Sequence, residues 1–575
     1  MSTQTDDDSS AFEFDIRELL SSVVDAYRYM GISPERYLAV VLLPTVALAV
    51  GLVAALAVVR PDPTVAFPVA MLGFLPVLGA LVYPKIVADR KRKEVREQFH
   101  LFLTHITVLS LTNIDRVEVF RTLANIEEYG ALAEEMGRIT ALVDTWNQSL
   151  DDACRRRAKR ASSDMLADFL ERLAYTVGAG QSLSDFLVDE QESMIEEFVT
   201  RYESDLAKLD VLKELYMSMM LSTTFILVFA TVLPLLLGVP ATLLMVGVIV
   251  MFAIVQGAFL FVIHQTAPRD PVWLDSTDDR NHSPTRRVQP YVFAGVGLSI
   301  IAVVGIAALG LGYTPIAPDR LPRPMYVAIP TLPLLIPGLA MRREENRVSE
   351  RDDGFPSFIR ALGGVESVKQ TSTANVLEML RTKDFGSLTP NIDNLYKRLR
   401  TRIDSQLAWT YFGAETGSYL IQKFGDMYVV GRRMGGEPRQ LGSVISTNIT
   451  EVLHLREQRE QETSTLIGII YGITAASLFS AFIGLEIAGQ MLEITNRLQQ
   501  SGGLALDLFS TAGYDIDIME YLLILVILVN AMLSAIMIRI SDRGHFVNAL
   551  PHFVGLTWVG AIVASVTSRI VGALI

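Results

Sequence analysis

Apolar residues in this chain come in long blocks rather than in periodic stripes. Nine blocks reach or approach the roughly twenty residues that a membrane-crossing helix needs. They are Leu38–Val59, Val65–Tyr83, Met217–Leu237, Ala241–Ile263, Tyr291–Leu311, Met325–Ala340, Leu466–Leu485, Tyr521–Ile538 and Phe553–Ile575. The sixth is short and carries Pro330, Pro333 and Pro337. It is expected to kink, because prolines free backbone carbonyls that neighbouring helices must then satisfy. Pro68 and Pro76 predict a milder kink in the second. Lys and Arg near the ends of spans set their orientation. Lys85, Arg90, Lys91, Arg92 and Lys93, then Arg286 and Arg287, then Arg342, Arg343 and Arg347, then Arg539 and Arg543 all fall on one side if the N-terminus is cytoplasmic. The opposite loops are short or acidic; residues 486–520 hold Glu486, Glu493, Asp507, Asp515, Asp517 and Glu520 against Arg497 alone. The expected topology has the N-terminus inside and the C-terminus outside.

Between the blocks lie two long charged segments, 85–216 and 341–465, with helical periodicity and few strand signals. Both open alike. Phe99, Phe102, Leu103, Ile106 and Leu109 share one helix face by the spacing i, i+3, i+4, i+7, i+10, and so do Phe355, Phe358, Ile359, Leu362 and Val365. The offset is 256, and it also carries Gly130-Ala-Leu132 onto Gly386-Ser-Leu388 and Gly180 onto Gly436. Each segment is followed by two apolar blocks, so the chain reads as an internal duplication. Breaks at Gly, Pro and Ser/Asp predict helices near 91–111, 115–128, 132–158, 162–177 and 184–216, and near 350–368, 373–383, 390–414, 416–433 and 438–463. These describe helical bundles.

The expected fold is an all-α polytopic membrane protein: about nine transmembrane helices and two helical-bundle cytoplasmic domains related by the repeat. In order, it has an acidic N-terminal segment (1–37), spans 1–2 (38–84), the first helical domain (85–216) and spans 3–4 (217–263). A cytoplasmic linker (264–290), spans 5–6 (291–340), the second helical domain (341–465) and spans 7–9 (466–575) with the external loop 486–520 complete it.

Composition agrees with this and narrows the chemistry. Half of the 575 residues are hydrophobic. The formal net charge of −13 argues against nucleic acid as a partner. Only 10 of the 50 basic residues are Lys, a bias that suits a high-salt cytoplasm or a GC-rich genome. The lone Cys154 excludes an internal disulfide and a multi-cysteine metal site. The acidic start (Asp6, Asp7, Asp8) lacks the basic region of a cleaved secretory signal.

No G-x-x-x-x-G-K-[ST] or H-E-x-x-H occurs. Gly178-Ala-Gly180 follows a helical pattern and reads as a helix C-terminal turn. His100 and His105, five apart, face different sides of a helix and read as ordinary polar positions. Glu127, Glu128, Glu134 and Glu135 read as solvated, with no catalytic role. The spans hold almost no ionisable side chain; their interior polar residues are of the kind of Gln256 and Asn530. This weighs against an ion-coupled transporter. A permease for an uncharged substrate, with regulatory cytoplasmic segments, remains an alternative. No cofactor, metal or catalytic residue is expected.

The F-x-x-F openings, the Gly-x-Leu steps (Gly130, Leu132; Gly386, Leu388) and the turns Gly178-Ala-Gly-Gln-Ser-Leu183 and Gly435-Gly-Glu-Pro438 resemble the type II secretion F-domain family. Its members are platform proteins of type IV pili, type II secretion and the archaellum. The extra spans look like archaellum and archaeal pilus platforms. Asn113 departs from the pattern, standing where these domains usually have a turn glycine. The resemblance implies a scaffold without catalysis, in the cell membrane. It implies a hexameric cytoplasmic ATPase as partner, archaellin or pilin-like subunits, other archaellum motor components, the lipid bilayer and a homo-oligomer, a dimer. It leaves archaellum and adhesion pilus or secretion system as alternatives.

That implied ATPase gives a second reading to the basic residues. Arg155, Arg156, Arg157, Lys159 and Arg160 read first as a solvated helix end at a favourable macrodipole position. Arg432 and Arg433, before the Gly435-Gly436 turn, read likewise. The sharper alternative makes both groups electrostatic contacts for an acidic patch on the ATPase. Lys91, Arg92 and Lys93 read as topology determinants beside anionic lipid.

Overall fold

The computed structural model describes residues 95, 97–161, 163–237, 240–268, 270–273, 284–310, 321–500 and 514–574. The expected spans Leu38–Val59 and Val65–Tyr83, and the cluster Lys91–Lys93, lie outside them. The chain divides into two compact units. One holds the first helical bundle through Gln191; the other holds the chain from Glu192 onward, with Leu111–Asn113.

The first bundle consists of α1 (97–110), α2 (Arg116–Ala124), a 3₁₀ turn (Glu127–Tyr129), α3 (Ala131–Trp146), α4 (Leu150–Ala158), α5 (Asp164–Gly178) and the start of α6 (Leu183–Leu237). Local chemistry sets these limits. Asp115 caps α2 by accepting from the Val117 N–H. Asp151 and Asp152 open α4 and Arg155, Arg156 and Arg157 close it, each charge complementing the helix dipole. Phe99, Phe102, Leu103, Ile106 and Leu109 are all buried, as one apolar face demands. His105 is buried too, its Nδ1 3.0 Å from the Tyr129 hydroxyl.

Then come α7 (Ala241–Thr266), α8 (Pro284–Gly310) and α9 (Arg323–Ala328), which passes through a 3₁₀ stretch (Ile329–Leu334) into α10 (Leu335–Lys369). The second bundle continues with α11 (Thr373–Leu380), a 3₁₀ turn (Gly386–Leu388), α12 (Thr389–Arg400), α13 (Ser405–Thr416) and α14 (Tyr419–Arg433). It ends on α15 (Pro438–Gln500), followed by α16 (Ile516–Ser541) and α17 (Leu550–Leu574).

The two bundles follow one plan. Helices beginning at Arg116, Ala131, Leu150, Asp164 and Leu183 are matched by helices beginning at Thr373, Thr389, Ser405, Tyr419 and Pro438, an offset of 255 to 258 residues. Phe102 meets Tyr129 edge-on at 5.7 Å and 87°; Phe358 meets Phe385 at 5.6 Å and 83°. Left-handed backbone recurs at Gly130 and Gly386, at Asn147 and Arg402, and at Gly180 and Gly435. The counterpart of Gly180 is therefore Gly435, one residue before Gly436. Gly436 instead matches Gln181: its N–H closes the helix on the Gly431 carbonyl as Gln181 does on Thr176. The helix crossing repeats as well. The Thr107 hydroxyl donates to the Leu187 carbonyl in the first bundle, and Gly363 lies against Pro438 and Gly442 in the second.

Two expectations fail in the same way in both bundles. The single helices expected at 132–158 and 390–414 are each two helices, broken at Asn147 and Arg402. Asn tolerates the left-handed region at little cost. Asp404 restarts the helix as α13 by accepting from the Leu407 N–H at 3.1 Å. Conversely, each bundle's last helix is continuous with the following span: α6 runs 55 residues and α15 runs 63. At about 1.5 Å per residue, α6 spans roughly 80 Å, well beyond a bilayer core of about 30 Å. The helix α15 also extends into the stretch expected to be an external loop.

Seven helices among the described residues are long and apolar enough to cross a membrane, and each takes in all or most of one of the seven expected spans from Met217 onward. Phe225, Phe229, Ile254, Phe261, Ile300 and Ile301 are all more than half exposed. Such an apolar surface belongs against lipid. Between the helices, Leu227, Met245, Leu478, Leu523 and Leu556 share one core. Within it the Gln256 amide donates to Asn530 at 2.8 Å, and Asn530 donates to Thr474 at 3.0 Å. The sixth span changes to 3₁₀ at Pro330 and Pro333, and Ser299 on α8 donates to the Pro330 carbonyl at 2.6 Å. The protein is an all-α polytopic membrane protein.

A candidate coupling site where the second bundle meets the spanning helices

Arg456 and Arg459 lie on α15 on the face of Val452, Leu455, Thr463 and Leu466, so both guanidinium groups are carried inward. Every guanidinium nitrogen of each finds an acceptor. Arg456 forks onto Asp270, Nε to Oδ2 at 2.6 Å and a terminal nitrogen to Oδ1 at 2.5 Å. Its other terminal nitrogen donates to Asp352 of α10 at 2.9 Å. Asp352 in turn accepts from the Ser418 hydroxyl, and Ser418 caps α14 through the Ile421 N–H. The Arg456 and Asp352 side chains are 3% and 1% exposed, so this is a buried ion network.

Arg459 completes the end of another helix. The last carbonyls of an α-helix have no partner within it. Arg459 donates to the carbonyls of Ile540, Ser541 and Asp542 at the end of α16 at 3.3, 2.9 and 2.7 Å, and to Pro268 after α7 at 2.7 Å. Its charge also suits the negative end of the α16 dipole. The residues after α7 lie along the second bundle: the Tyr419 N–H donates to Val272 at 3.1 Å, and Trp273 pairs with Ser418. Glu345 of α10 binds the α16–α17 loop, accepting from the His545 N–H at 2.9 Å and from the Asn548 amide.

Burial alone would raise the pKa of Asp270. The guanidinium of Arg456, with Arg543 and Arg459 nearby, outweighs burial and holds the carboxyl below its ordinary range. Two arginines on one helix tie together α10, the residues before α14, the segment after α7 and the loop after α16. Among the described residues, no group of three His, Cys, Asp or Glu side chains could hold a metal ion.

The residues singled out by sequence fall into three groups. Phe99, Phe102, Phe355 and Phe358 are core, and Gly130, Gly180 and Gly386 occupy left-handed turns. Arg157 and Arg432 turn inward. Arg157 donates to Glu135 at 2.8 and 2.9 Å, and Arg432 donates to Glu366 at 2.9 Å beside the Tyr428 hydroxyl. Glu135, expected to be solvated, is therefore buried. Arg155, Arg156, Lys159, Arg160 and Arg433 are exposed; Arg433 donates to Gln406. Sequence reasoning missed Asp270, Asp352, Arg456 and Arg459. In 452–466 the two arginines look like solvated helix charge, and the available signal was their falling on an apolar stripe.

Each bundle's last helix is continuous with a spanning helix, and the second bundle is tied by Arg456 and Arg459 to the ends of spanning helices. A family model described as "Type II secretion system (T2SS), protein F" matches residues 102–231. The protein is a multi-pass membrane protein with a type II secretion F domain. It is 32% identical over 556 residues to the "Flagella accessory protein J" of Methanococcus voltae, covering 96% of this chain and 99% of that relative. It is 32% identical over 558 residues to the protein of the same name from Methanocaldococcus jannaschii, covering 96% and 98%. The chain belongs to the flagella accessory protein J family. No solved structure matches it.

Proposed function

We propose that this chain is the membrane assembly platform of an archaeal type IV pilus-like filament, the archaellum. In this reading a hexameric cytoplasmic ATPase acts on the two bundles, and both bundles are F domains. Archaellin or pilin-like subunits leave the bilayer beside the spanning helices, and the same motion rotates the filament. ATP turnover belongs to the ATPase. The N-terminus and both bundles are cytoplasmic, the C-terminus is external, and the platform works as a homodimer with other motor components.

The full-length likeness to two flagella accessory J proteins carries this reading. A physical feature supports it. The second bundle's last helix runs unbroken into a span, so a displacement at its bundle end can be passed along the helix.

Contact with the ATPase is assigned to Arg155, Arg156, Lys159 and Arg160, with Arg433 as a second point. Arg157 and Arg432 are occupied by buried carboxylates and serve to position their helices. Reversing Arg155, Arg156, Lys159 and Arg160 to Glu is expected to weaken ATPase recovery from membranes by about 1–3 kcal/mol, less at high salt. Recovery equal to wild type at both low and high ionic strength would remove the cluster from the interface. Failure of wild type to recover the ATPase under any condition would sink the platform reading.

A further inference from the structure

We propose that Arg456 and Arg459 form a one-sided clamp, making the second bundle, and not the first, the rigid input through which a partner's movement reaches the spanning helices. This rests on the platform reading and assigns a division of labour within it.

The repeat makes the comparison possible. The register that pairs Gly180 with Gly435 pairs Arg456 with Arg201, Arg459 with Ser204 and Ser418 with Ser163. The register that pairs Phe99 with Phe355 sets Arg96 opposite Asp352. Among the described residues, the first copy thus lacks the chemistry of the clamp. Arg201 pairs with Glu197 one turn earlier on its own helix, and its side chain is 35% exposed. Ser204 cannot supply a guanidinium to helix-end carbonyls. The Ser163 hydroxyl makes no cap bond, and in sequence the residue aligned with Asp352 is the basic Arg96 rather than an acid. A duplicated plan has kept its aromatic contacts, turns and helix crossing while, among the described residues, only the second copy ties an arginine pair on its last helix to the ends of spanning helices.

Such networks add little net stability compared with well-packed apolar groups, and their best-attested use is to specify one geometry. Here that geometry joins two places where membrane helices end, after α7 at Pro268–Val272 and after α16 at Ile540–Arg543, to the body of the second bundle. With the clamp closed, bundle and helix ends move together. With it loosened, the loops absorb the displacement. Arg456 and Arg459 are positioning residues.

The test replaces Arg456 with Lys, which keeps the charge and removes the planar fork onto Asp270. Full-length protein lacking Cys154 is spin-labelled at Glu378→Cys on α11 and Phe546→Cys after α16 in lipid nanodiscs, and the same Arg456→Lys change is made in cells. The expected result is normal membrane insertion and ATPase recovery, a broadened 378–546 distance distribution and about tenfold fewer filaments. Arg201→Lys, the same change at the matched site, should alter neither distances nor filaments.

An unchanged distance distribution in Arg456→Lys overturns the clamp. Broadened distances with undiminished filaments overturn its role in transmission, and so does equal filament loss from Arg201→Lys. If Arg456→Lys does not accumulate, Ser418→Ala, which removes the hydroxyl contact to Asp352 together with the side-chain cap on Ile421, must still broaden the distribution; no broadening refutes the proposal. Absence of ATPase from wild-type preparations counts against the platform reading and leaves the distance measurement standing.

Discussion

Replacing Arg157 with Ala should open the first bundle, and the chain carries its own reporter. Arg157 forks onto Glu135, whose side chain is 5% exposed while that of Arg157 is 14% exposed. Removing the arginine leaves a buried carboxylate with only Arg138, itself half exposed, as cation. Breaking one side of a buried pair costs about 3–5 kcal/mol, and the remaining Arg138 sets the expectation near the lower figure, about 3 kcal/mol. At about 1.4 kcal/mol per tenfold, the opened population rises about a hundredfold. Cys154 sits one turn before Arg157 on α4, is fully buried and is the sole cysteine. Burial pushes its thiol up to about 12, so the closed form is inert and labelling proceeds through opening. Thiol labelling of the full-length protein in detergent micelles should therefore accelerate about a hundredfold in Arg157→Ala. In Arg156→Ala, whose side chain is exposed, it should stay within about twofold of wild type. A rate within twofold of wild type for Arg157→Ala would refute the inward assignment.

Asn530→Leu removes the acceptor of Gln256 and the donor to Thr474; thermal unfolding in detergent should show a loss of about 1–2 kcal/mol, and an unchanged midpoint would contradict the membrane network. At Gly363 a Cβ would stand 2.3 Å from the Pro438 carbonyl, so Gly363→Leu should cost about 3 kcal/mol and lower the yield of folded protein. Full yield would mean that the crossing of α10 and α15 is looser than described. For topology, single cysteines at Glu128, Lys383 and Ala505 in a Cys154-free chain should label from outside only at 505. The first two positions are exposed and avoid the left-handed glycines; external labelling at 383 would reverse the proposed orientation.

The spans and the two F-x-x-F helices were legible because their signals are long and redundant. Twenty apolar residues or five face-matched positions survive a local exception. Turns gave a weaker signal. Gly130 and Gly386 could be read, but Arg402 in the left-handed region could not, since nothing in its side chain favours that conformation. The continuity of α6 and α15 was hidden because a helix crossing from water to lipid changes composition without changing backbone, and the change looks like a boundary. The clamp was least legible. Arg456 and Asp270 lie 186 residues apart and meet through tertiary packing, and each alone looks like a solvated charge. Arg157 shows the same blindness: five basic residues in six read as one surface cluster, although α4 turns one of them into the bundle.

The central claim, that this chain is the platform on which a filament is built, is tested most directly in a strain that lacks it. Electron microscopy of the deletion strain, with immunoblots of its membranes, reads both halves of the claim at once. The account predicts filament subunits made and inserted in the membrane but no filaments, with filaments restored by the wild-type chain. Filaments of normal number and length without the chain would contradict it.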